Sequence, residues 1–347
     1  MARACILMTA GMSGCGAGSE SDVPERGALL SAVGEVRVVD FEPGQSLSWV
    51  GLDAIAIPDP LGGRVVLYDR HGVQIGVRGR HGQGPGEFAF PLLVYGSRSG
   101  ELFVADSRPS RVTYFSADSE AVVKISPPMP GLPLQILSGD DLRVDIAWYD
   151  PASEPRAKVG VVEFGAATID ERFGIHGGDA NLEPGAMPAV VMDDDGIVYA
   201  GYGTVYQIQK YAGDGSLLET YGRTLRPILP SEADVERFRD EVATMAIAGM
   251  EVERGLVEEA VSTFRRTALP FFTPSSLAVD DQRRLWVATT GSAGDSTRID
   301  VFQADREPMQ VRVRDRALAI AIRGSHVAIL VERALGLKGI DLYEISG

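Results

Sequence analysis

Short apolar runs rich in β-branched and aromatic residues recur along the chain, each beside a turn. There are six of them, at residues 65–68, 102–106, 142–148, 197–202, 285–289 and 327–331. Their starts lie 37, 40, 55, 88 and 42 residues apart. Runs of this length, bounded by turn residues, are typical of buried strands, so the pattern predicts a repeated β unit.

The turns between these runs carry the residues that hairpins require. Asp-Gly and other glycine-containing signals lie at 70–72, 99–100, 139–140, 194–196 and 214–215. Setting aside one unusual segment, residues 35–347 supply about 46 residues per run, which fits a blade of four short strands. The sequence therefore predicts an all-β fold, a six-bladed β-propeller. Seven blades would leave about 39 residues each, but no seventh run exists.

The unusual segment, residues 231–267, accounts for the one long interval and has helical periodicity. Ser231 can cap a helix, and acidic residues follow in the first turn. Val235, Phe238, Val242 and Met245 form one apolar stripe, and residues 256–264 form a second. We predict a helical insertion between the fourth and fifth blades, either a cap packed on one face of the propeller or a lid over a binding site.

The two ends of the propeller are expected to pair. Residues 35–41 alternate as a strand does but have no hairpin partner, and the last repeat, 317–345, is short of strands. Propellers remove open edges by completing one blade with strands from both ends. We therefore predict that residues 35–41 join the C-terminal blade.

The N-terminus has features of an export signal. Arg3 precedes a run of apolar and small residues that is too short to span a bilayer. Residues 12–15, Met-Ser-Gly-Cys, resemble the bacterial lipobox, in which the cysteine becomes lipidated. This resemblance predicts a lipoprotein-type signal peptide at 1–15, lipidation of Cys15, a flexible tether at 16–34 and the propeller at 35–347. The protein would be exported to the periplasm or outer membrane and touch the membrane through its lipid alone; plain secretion and an incidentally apolar N-terminus are the alternatives.

One linker motif is specific enough to suggest a family. Residues 78–91 read Arg-Gly-Arg-His-Gly-Gln-Gly-Pro-Gly-Glu-Phe-Ala-Phe-Pro and resemble the linker of NHL-type propeller repeats, which joins the outer strand of one blade to the inner strand of the next. Residues 273–280 and 284–287 resemble the inner two strands of such a blade. Together with the lipobox, the chain resembles bacterial six-bladed propeller lipoproteins with NHL-like repeats. The resemblance implies a fold and a surface location, and no settled activity.

Composition excludes several function classes. Lys and Arg number 33 against 48 Asp and Glu, giving a net charge of −15, so we expect no nucleic acid partner. Cys5 and Cys15 are the two cysteines, so the body of the chain has no disulfide scaffold, cysteine-ligated zinc or cysteine nucleophile. Hydrophobic residues make up 45% of the chain, enough for a large core.

The candidate ligand-binding residues lie in the predicted linkers between blades. His81 and His176 occupy matching Gly-x-His-Gly positions two blades apart, and linkers approach the mouth of the central channel. We predict a ligand site that includes Arg80, His81, Glu87, His176 and Arg223. The pair of histidines lacks a third metal ligand, so we expect no metal and no cofactor.

Other motifs suggest structure rather than chemistry. The glycine-rich loop at 82–86 is not followed by a helix or a P-loop lysine, so phosphate binding is disfavoured. Residues 96–100, Gly-Ser-Arg-Ser-Gly, carry Arg98 where a nucleophile elbow needs serine. The aspartates at 193–195 precede a glycine without the spacing of a calcium loop, which indicates a surface turn.

Two function hypotheses follow from these residues. The first is a non-catalytic, monomeric cell-envelope propeller that binds a protein, peptide or glycan on its channel-mouth face. The alternative is an exported hydrolase or lyase acting on a small molecule in the central channel. A purely structural envelope component is the third possibility.

The lipid anchor makes a prediction about sorting. Cys15→Ala should release the protein from the membrane fraction because the acyl chains are its only membrane contact, whereas Cys5→Ala should change nothing. Immunoblotting of membrane and soluble fractions measures this. Equal membrane association of the wild type and Cys15→Ala would contradict the anchor.

Overall fold

The computed structural model describes ten stretches of the chain. They are residues 29–36, 39–44, 46–117, 122–166, 168–176, 187–247, 254–290, 296–304, 306–333 and 336–346. The predicted signal peptide, Cys15 and most of the predicted tether lie outside these residues.

The described chain forms a six-bladed β-propeller of six four-stranded antiparallel sheets. The first strand of the chain, β1 (Leu30–Val36), is the outermost strand of the last blade. Blade 1 contains β2 (Ser48–Val50), β3 (Ala54–Asp59), β4 (Arg64–Asp69) and β5 (Gln74–Arg78). A short parallel pair, β6 (Arg80–His81) and β7 (Glu87–Phe88), lies in the linker that follows. Blade 2 contains β8 (Pro91–Gly96), β9 (Leu102–Ser107), β10 (Ser110–Phe115) and β11 (Val122–Ile125).

The remaining blades repeat this order from the inner strand outwards. Blade 3 contains β12 (Leu132–Gly139), β13 (Arg143–Tyr149), β14 (Ala157–Glu163) and β15 (Ile169–Ile175). Blade 4 contains β16 (Pro188–Met192), β17 (Val198–Tyr202), β18 (Gln207–Tyr211) and β19 (Leu217–Gly222). Two helices follow, α1 (Glu232–Ile247) and α2 (Arg254–Phe264). Blade 5 contains β20 (Leu277–Val279), β21 (Leu285–Ala288), β22 (Ser296–Phe302) and β23 (Met309–Arg314), and blade 6 contains β24 (Arg316–Arg323), β25 (His326–Glu332), β26 (Lys338–Ile345) and then β1.

Apolar packing between neighbouring blades explains why the strand runs are nearly continuous rather than alternating. Of the seven hydrophobic clusters among the described residues, six lie one at each interface between adjacent blades. In β25, Val327, Ile329 and Val331 pack towards blade 5, whereas Ala328 and Leu330 pack towards blade 1. Successive side chains of a strand point to opposite faces, so a sheet buried on both faces needs apolar residues at every position.

Each predicted run belongs to a different blade, but the six runs are not the same strand of their blades. Five are second strands, but residues 65–68 belong to β4, the third strand of blade 1. The second strand, β3, contains Pro58 and ends at Asp59. Proline and aspartate are rare inside strands, so the sequence pattern did not indicate β3.

The ring closes through β1, as predicted, but the strand lies five residues earlier than the sequence indicated. Leu30 pairs with Ile345 and Val36 pairs with Ile340, with a register shift between Ala32 and Gly34. Residues 30–34 were assigned to the tether because the stretch 16–34 is rich in Gly, Ser, Glu and Pro; in the structure they belong to β1, where the register shift falls at Val33. The blade strand therefore begins at Leu30, and the described residues 39–41 lie after it.

Arg333 connects the pieces of this closure. Its Nη1 donates to the carbonyl of Val36 at 3.1 Å, and its Nη2 binds Asp341 at 2.5 Å. The carboxylates of Glu35 and Asp315 lie 3.5 and 3.6 Å from the same guanidinium. Burial raises the pKa of Asp341, and Arg333 opposes that effect. One cation therefore holds three acidic groups and the first strand together.

The helices bury their stripes on each other. Phe238 of α1 and Phe264 of α2 stack with ring centroids 4.2 Å apart, within a cluster drawn from the helices and their flanking residues. Leu269 donates to the carbonyl of Ile228 at 2.7 Å and draws the ends of the segment together. The stripes thus form a small core of their own, which differs from the expected cap packed by those stripes on the propeller. Ser231 is the N-cap, as predicted: its Oγ accepts from the Asp234 amide at 3.2 Å.

Arg333→Met should weaken the closure. Removing the cation leaves Glu35, Asp315 and Asp341 to repel one another, so we expect the free energy of unfolding to fall by about 2–4 kcal/mol at pH 7. The loss should shrink near pH 4, where the carboxylates begin to be protonated. Urea unfolding measures both. Arg314→Met, which removes an arginine whose side chain is 83% exposed, is the control; equal effects of the two substitutions would contradict the role of Arg333.

Candidate functional site

The first strand of every blade leads into a turn, and these turns gather on one face of the ring. We call it the first-turn face; it carries residues 51–53, 97–101, 140–142, 193–197, 280–284 and 324–325. The opposite linker face carries the connections between blades, including the helices. Neighbouring inner strands contact one another around the whole ring, β24 against β2 included, and so enclose a central channel.

The channel opens on the first-turn face as a cavity of about 640 Å³. All six inner strands contribute to its wall, from Trp49 in β2 to Arg323 in β24. Trp49 is buried, and its indole nitrogen donates to the carbonyl of Ala321 at 3.2 Å. The wall is built from strand backbone, and its charged side chains come both from strands and from the turns that follow the inner strands.

Arg98 crosses the mouth of the cavity. It lies in the first turn of blade 2, and its Nη2 donates to Asp194 of blade 4 and to Asp281 of blade 5, both at 2.7 Å. These two hydrogen bonds raise the pKa of Arg98 further above its usual value. Both contacts use one nitrogen, so Nε and Nη1 remain to donate to another acceptor.

Arg323 is a buried arginine in the wall, at the end of β24 nearest the first-turn face. It is 9% exposed at the end of β24, and its Nη2 donates to the carbonyls of Gly96 at 2.6 Å and Trp49 at 3.4 Å. Among the described residues, no carboxylate lies within ion-pair distance of it. Burial lowers the pKa of Arg323, and the carboxylates of Asp194 and Asp281 oppose that effect.

Blade 3 adds two further arginines. Arg172 reaches Asp145 at 2.8 Å between Nη1 and Oδ1, and Ser138 donates to the other oxygen of that carboxylate at 2.6 Å. Arg143 is exposed, and its guanidinium makes no ion pair with any residue in the described part of the chain.

Blades 4 and 5 supply aspartates, several of which are held by their own turns. Asp193 accepts from the amides of Asp195 and Ile197, both at 3.0 Å. Asp280 accepts from Arg284 Nε at 2.6 Å and from the Trp286 indole at 2.8 Å. Asp195 pairs with Arg283 across the two blades.

The residues predicted from the sequence lie on the linker face, away from this cavity. Arg80 and Glu87 form an ion pair at 2.7 Å across β6 and β7. The Gly84 amide, and then Arg80, hold the pKa of Glu87 below its usual range. Arg111 donates to the carbonyl of Glu87 at 2.8 Å and fixes the glycine-rich loop to blade 2.

His81 and His176 are both exposed. No hydrogen bond or ion pair joins either imidazole to a described residue, and no cluster of three metal-ligating side chains occurs in the part of the chain that the structure describes. The structure therefore does not bring the five predicted residues into one constellation, and their ligand-binding role stays a prediction.

Arg223 takes part in a buried polar cluster between blades 4 and 5. Its Nη2 lies 3.4 Å from Oδ1 of Asp300, a fully buried carboxylate. Gln310 donates to the same oxygen at 3.2 Å, and the Tyr206 hydroxyl donates to the other. Burial, and then the Asp300 carboxylate, raise the pKa of Tyr206 well above its usual value, which keeps the hydroxyl protonated as a donor.

Two of the cavity turns, at 96–100 and 193–195, stood out in the sequence, but neither was predicted to bind a ligand. Arg98 appeared only as the residue that breaks a nucleophile elbow, and residues 193–195 only as a turn. Both are turns, but they follow inner strands and so line the channel mouth. The available signal was positional: a charged residue directly after the first strand of a blade.

No family model matches the chain, and no curated protein matches its sequence. Solved structures share its fold at low identity. A protein from Bacteroides fragilis described as exported is 12% identical with a TM-score of 0.54, over 92% of this chain and 96% of that one. A member of the DUF4221 family from Bacteroides vulgatus is 8% identical with a TM-score of 0.53, over 93% and 100%. A gluconolactonase from Xanthomonas campestris is 12% identical with a TM-score of 0.51, over 87% and 85%. These likenesses establish the fold alone.

Within the described residues, no helix has the length and apolar character needed to cross a bilayer.

The Arg223 contacts predict a structural effect. Arg223→Ala should lower the free energy of unfolding by about 1–2 kcal/mol because the buried Asp300 loses one of its two nearby cations and keeps only Arg298, at 3.6 Å. Arg226→Ala, an exposed arginine of the same linker, should be nearly neutral. Thermal and urea unfolding compare the two. A silent Arg223→Ala would contradict the structural role and favour a ligand contact.

Proposed function

We propose that this protein is a non-catalytic cell-envelope propeller that binds a polar ligand in its central channel, entering from the first-turn face. One observation carries the proposal: a cavity of about 640 Å³ whose wall holds charged side chains from five of the six blades. Ligand-binding pockets typically measure 300–1,000 Å³ and place a few polar groups to orient what they bind.

The size and charge of the cavity favour the end of a peptide among the ligands predicted from sequence. A folded protein could insert only a terminus or a side chain into this volume. A neutral glycan would offer hydroxyls to a wall of guanidinium and carboxylate groups, without the opposite charges that make hydrogen bonds strong. A charged chain end supplies them.

The state of three cavity aspartates, Asp193, Asp195 and Asp280, favours binding over catalysis. A general base needs a lone pair within reach of the substrate. Asp193 accepts from two backbone amides, Asp280 from Arg284 and Trp286, and Asp195 is paired with Arg283. Carboxylates held by these hydrogen bonds and ion pairs keep a fixed orientation in the cavity wall. The hydrolase or lyase alternative would be recognised by turnover in the experiment below.

The lipid on Cys15, cleavage of the predicted signal peptide just before Cys15 and the NHL-like repeats belong to the same proposal. They place the propeller at a membrane surface in the envelope, where a binding module would meet exported peptides. The linker-face residues Arg80, His81, Glu87 and His176 remain a separate predicted contact surface.

Filling the cavity tests the proposal. Ala321 lines the channel in β24, so Ala321→Phe should occupy the space without altering any charge. The full chain, immobilised and incubated with low-molecular-mass envelope extract, should retain peptide ligands detectable by mass spectrometry, and Ala321→Phe should retain less than a tenth as much. Ala152→Phe, at an exposed alanine on the linker face, is the matched control and should behave as the wild type.

Equal retention of envelope peptides by the wild type and Ala321→Phe would overturn the proposal and favour a site on the linker face. Release of chemically altered peptides at a catalytic rate would instead establish the enzyme alternative. Far-UV circular dichroism of both variants checks that the ring is intact.

A further inference from the structure

The cavity wall is divided by charge, and this division deepens the proposed function by naming the ligand class. One half of the wall comes from blades 2, 3 and 6, and among the described residues its ionisable acids and bases are four arginines and one aspartate. They are Arg98, Arg143, Arg172, Arg323 and Asp145. We call this the basic half.

Blades 4 and 5 form the other half, which we call the acidic half. In the described chain it carries five aspartates and one arginine, namely Asp193, Asp194, Asp195, Asp280, Asp281 and Arg283. In a ring of six, blade 2 lies opposite blade 5, and blades 3 and 6 adjoin blades 4 and 5, so the basic charges lie opposite the acidic half and on either side of it. Arg98 reaches over to Asp194 and Asp281 and marks where the halves meet.

We propose that the ligand is a zwitterion, a short peptide or the free ends of one, whose carboxylate lies against the basic half and whose ammonium group lies against the acidic half. The inference rests on the proposed function. A cavity with separated charges orients a dipolar ligand and opposes the reverse orientation, so it selects for both ends together.

Arg323 is the strongest reason to place the carboxylate in the basic half. It is 9% exposed and lines the cavity, and among the described residues its Nη2 donates to two backbone carbonyls, with the Tyr95 side chain beside its guanidinium. A buried cation without a counter-ion is costly, and a ligand carboxylate would supply the missing charge through Nε and Nη1. Arg98 has the same two donors unused and lines the mouth above it.

The acidic half has matching capacity for a cation. Asp194 and Asp281 share a single nitrogen of Arg98, and both side chains are partly exposed at the mouth. One guanidinium cannot neutralise two carboxylates, so an excess negative charge remains at this edge. An ammonium group placed there would gain two charge-assisted acceptors. An anion without a cation would meet this edge unfavourably, which argues against inorganic phosphate as the ligand.

Four tripeptide pools of random sequence test the inference. One pool has free termini, one is N-acetylated, one is C-amidated, and one is blocked at both ends. After equilibration with the immobilised full chain, mass spectrometry measures retention. We expect the free pool to be retained at least tenfold more than either singly blocked pool, and the doubly blocked pool least.

Charge-removing variants assign each end to its half. Arg323→Gln keeps a donor for the carbonyls of Gly96 and Trp49, and should retain the free and C-amidated pools equally while still rejecting the N-acetylated pool. Arg98→Gln should weaken the same discrimination if Arg323→Gln fails to fold. Asp281→Asn should lose discrimination at the amino terminus alone. The controls are Arg314→Gln and Asp53→Asn, exposed residues outside the cavity, which should match the wild type.

Equal retention of the four pools by the wild type, or retention of none, overturns the zwitterion assignment, as does unchanged discrimination in Arg323→Gln and Asp281→Asn. The failure of the proposed function looks different. If envelope peptides are lost in Ala321→Phe but retained by both charge variants, the cavity binds a ligand that is not selected by these charges. If Ala321→Phe loses nothing, the cavity is not the site.

Discussion

Pairing of β1 with β26 is the contact on which the site depends. Leu30 and Ile345 lie at opposite ends of the chain, yet their strands complete one blade and leave no inner strand without a neighbour on both sides. The energy of the fold comes from apolar layers between blades, but those layers form a closed set of six only after this strand is in place. Because the ring is closed, six turns distant in sequence face one channel.

Much of the architecture could be predicted from the sequence because it follows from local burial. The run at 327–331 is apolar at successive positions since both faces of its sheet are covered, and the stretch at 35–41 pointed to the missing strand because the last repeat lacked one. The same local patterns also led to wrong strand boundaries. Pro58 weakened the strand pattern of β3, and Gly34 led to the assignment of the start of β1 to the tether. These errors concern which residues of a segment pair, which depends on partners far along the chain.

The site was harder to predict because it is a property of the closed ring. The sequence analysis looked for chemistry in glycine-rich linkers, and the structure shows Glu87 and Arg223 holding linkers and blades together there. Arg98 lies 96 residues from Asp194 and 183 from Asp281. No pattern near Arg98 indicates that its guanidinium meets both, since this depends on the rotation between blades. The sequence showed that charged residues follow the inner strands, but it did not show that these residues meet at one channel mouth.

The direction of β1 has a consequence for how the molecule would stand at a membrane. Because β1 is antiparallel to β26, Leu30 lies at the end of the blade where β26 finishes, which is the first-turn face. A chain attached by a lipid at Cys15 would leave the propeller from the same side as the cavity. The intervening residues, fully extended, span at most about 50 Å. The channel would then open towards the lipid headgroups, and a ligand would reach it from the narrow layer between the propeller and the bilayer, not from the bulk compartment.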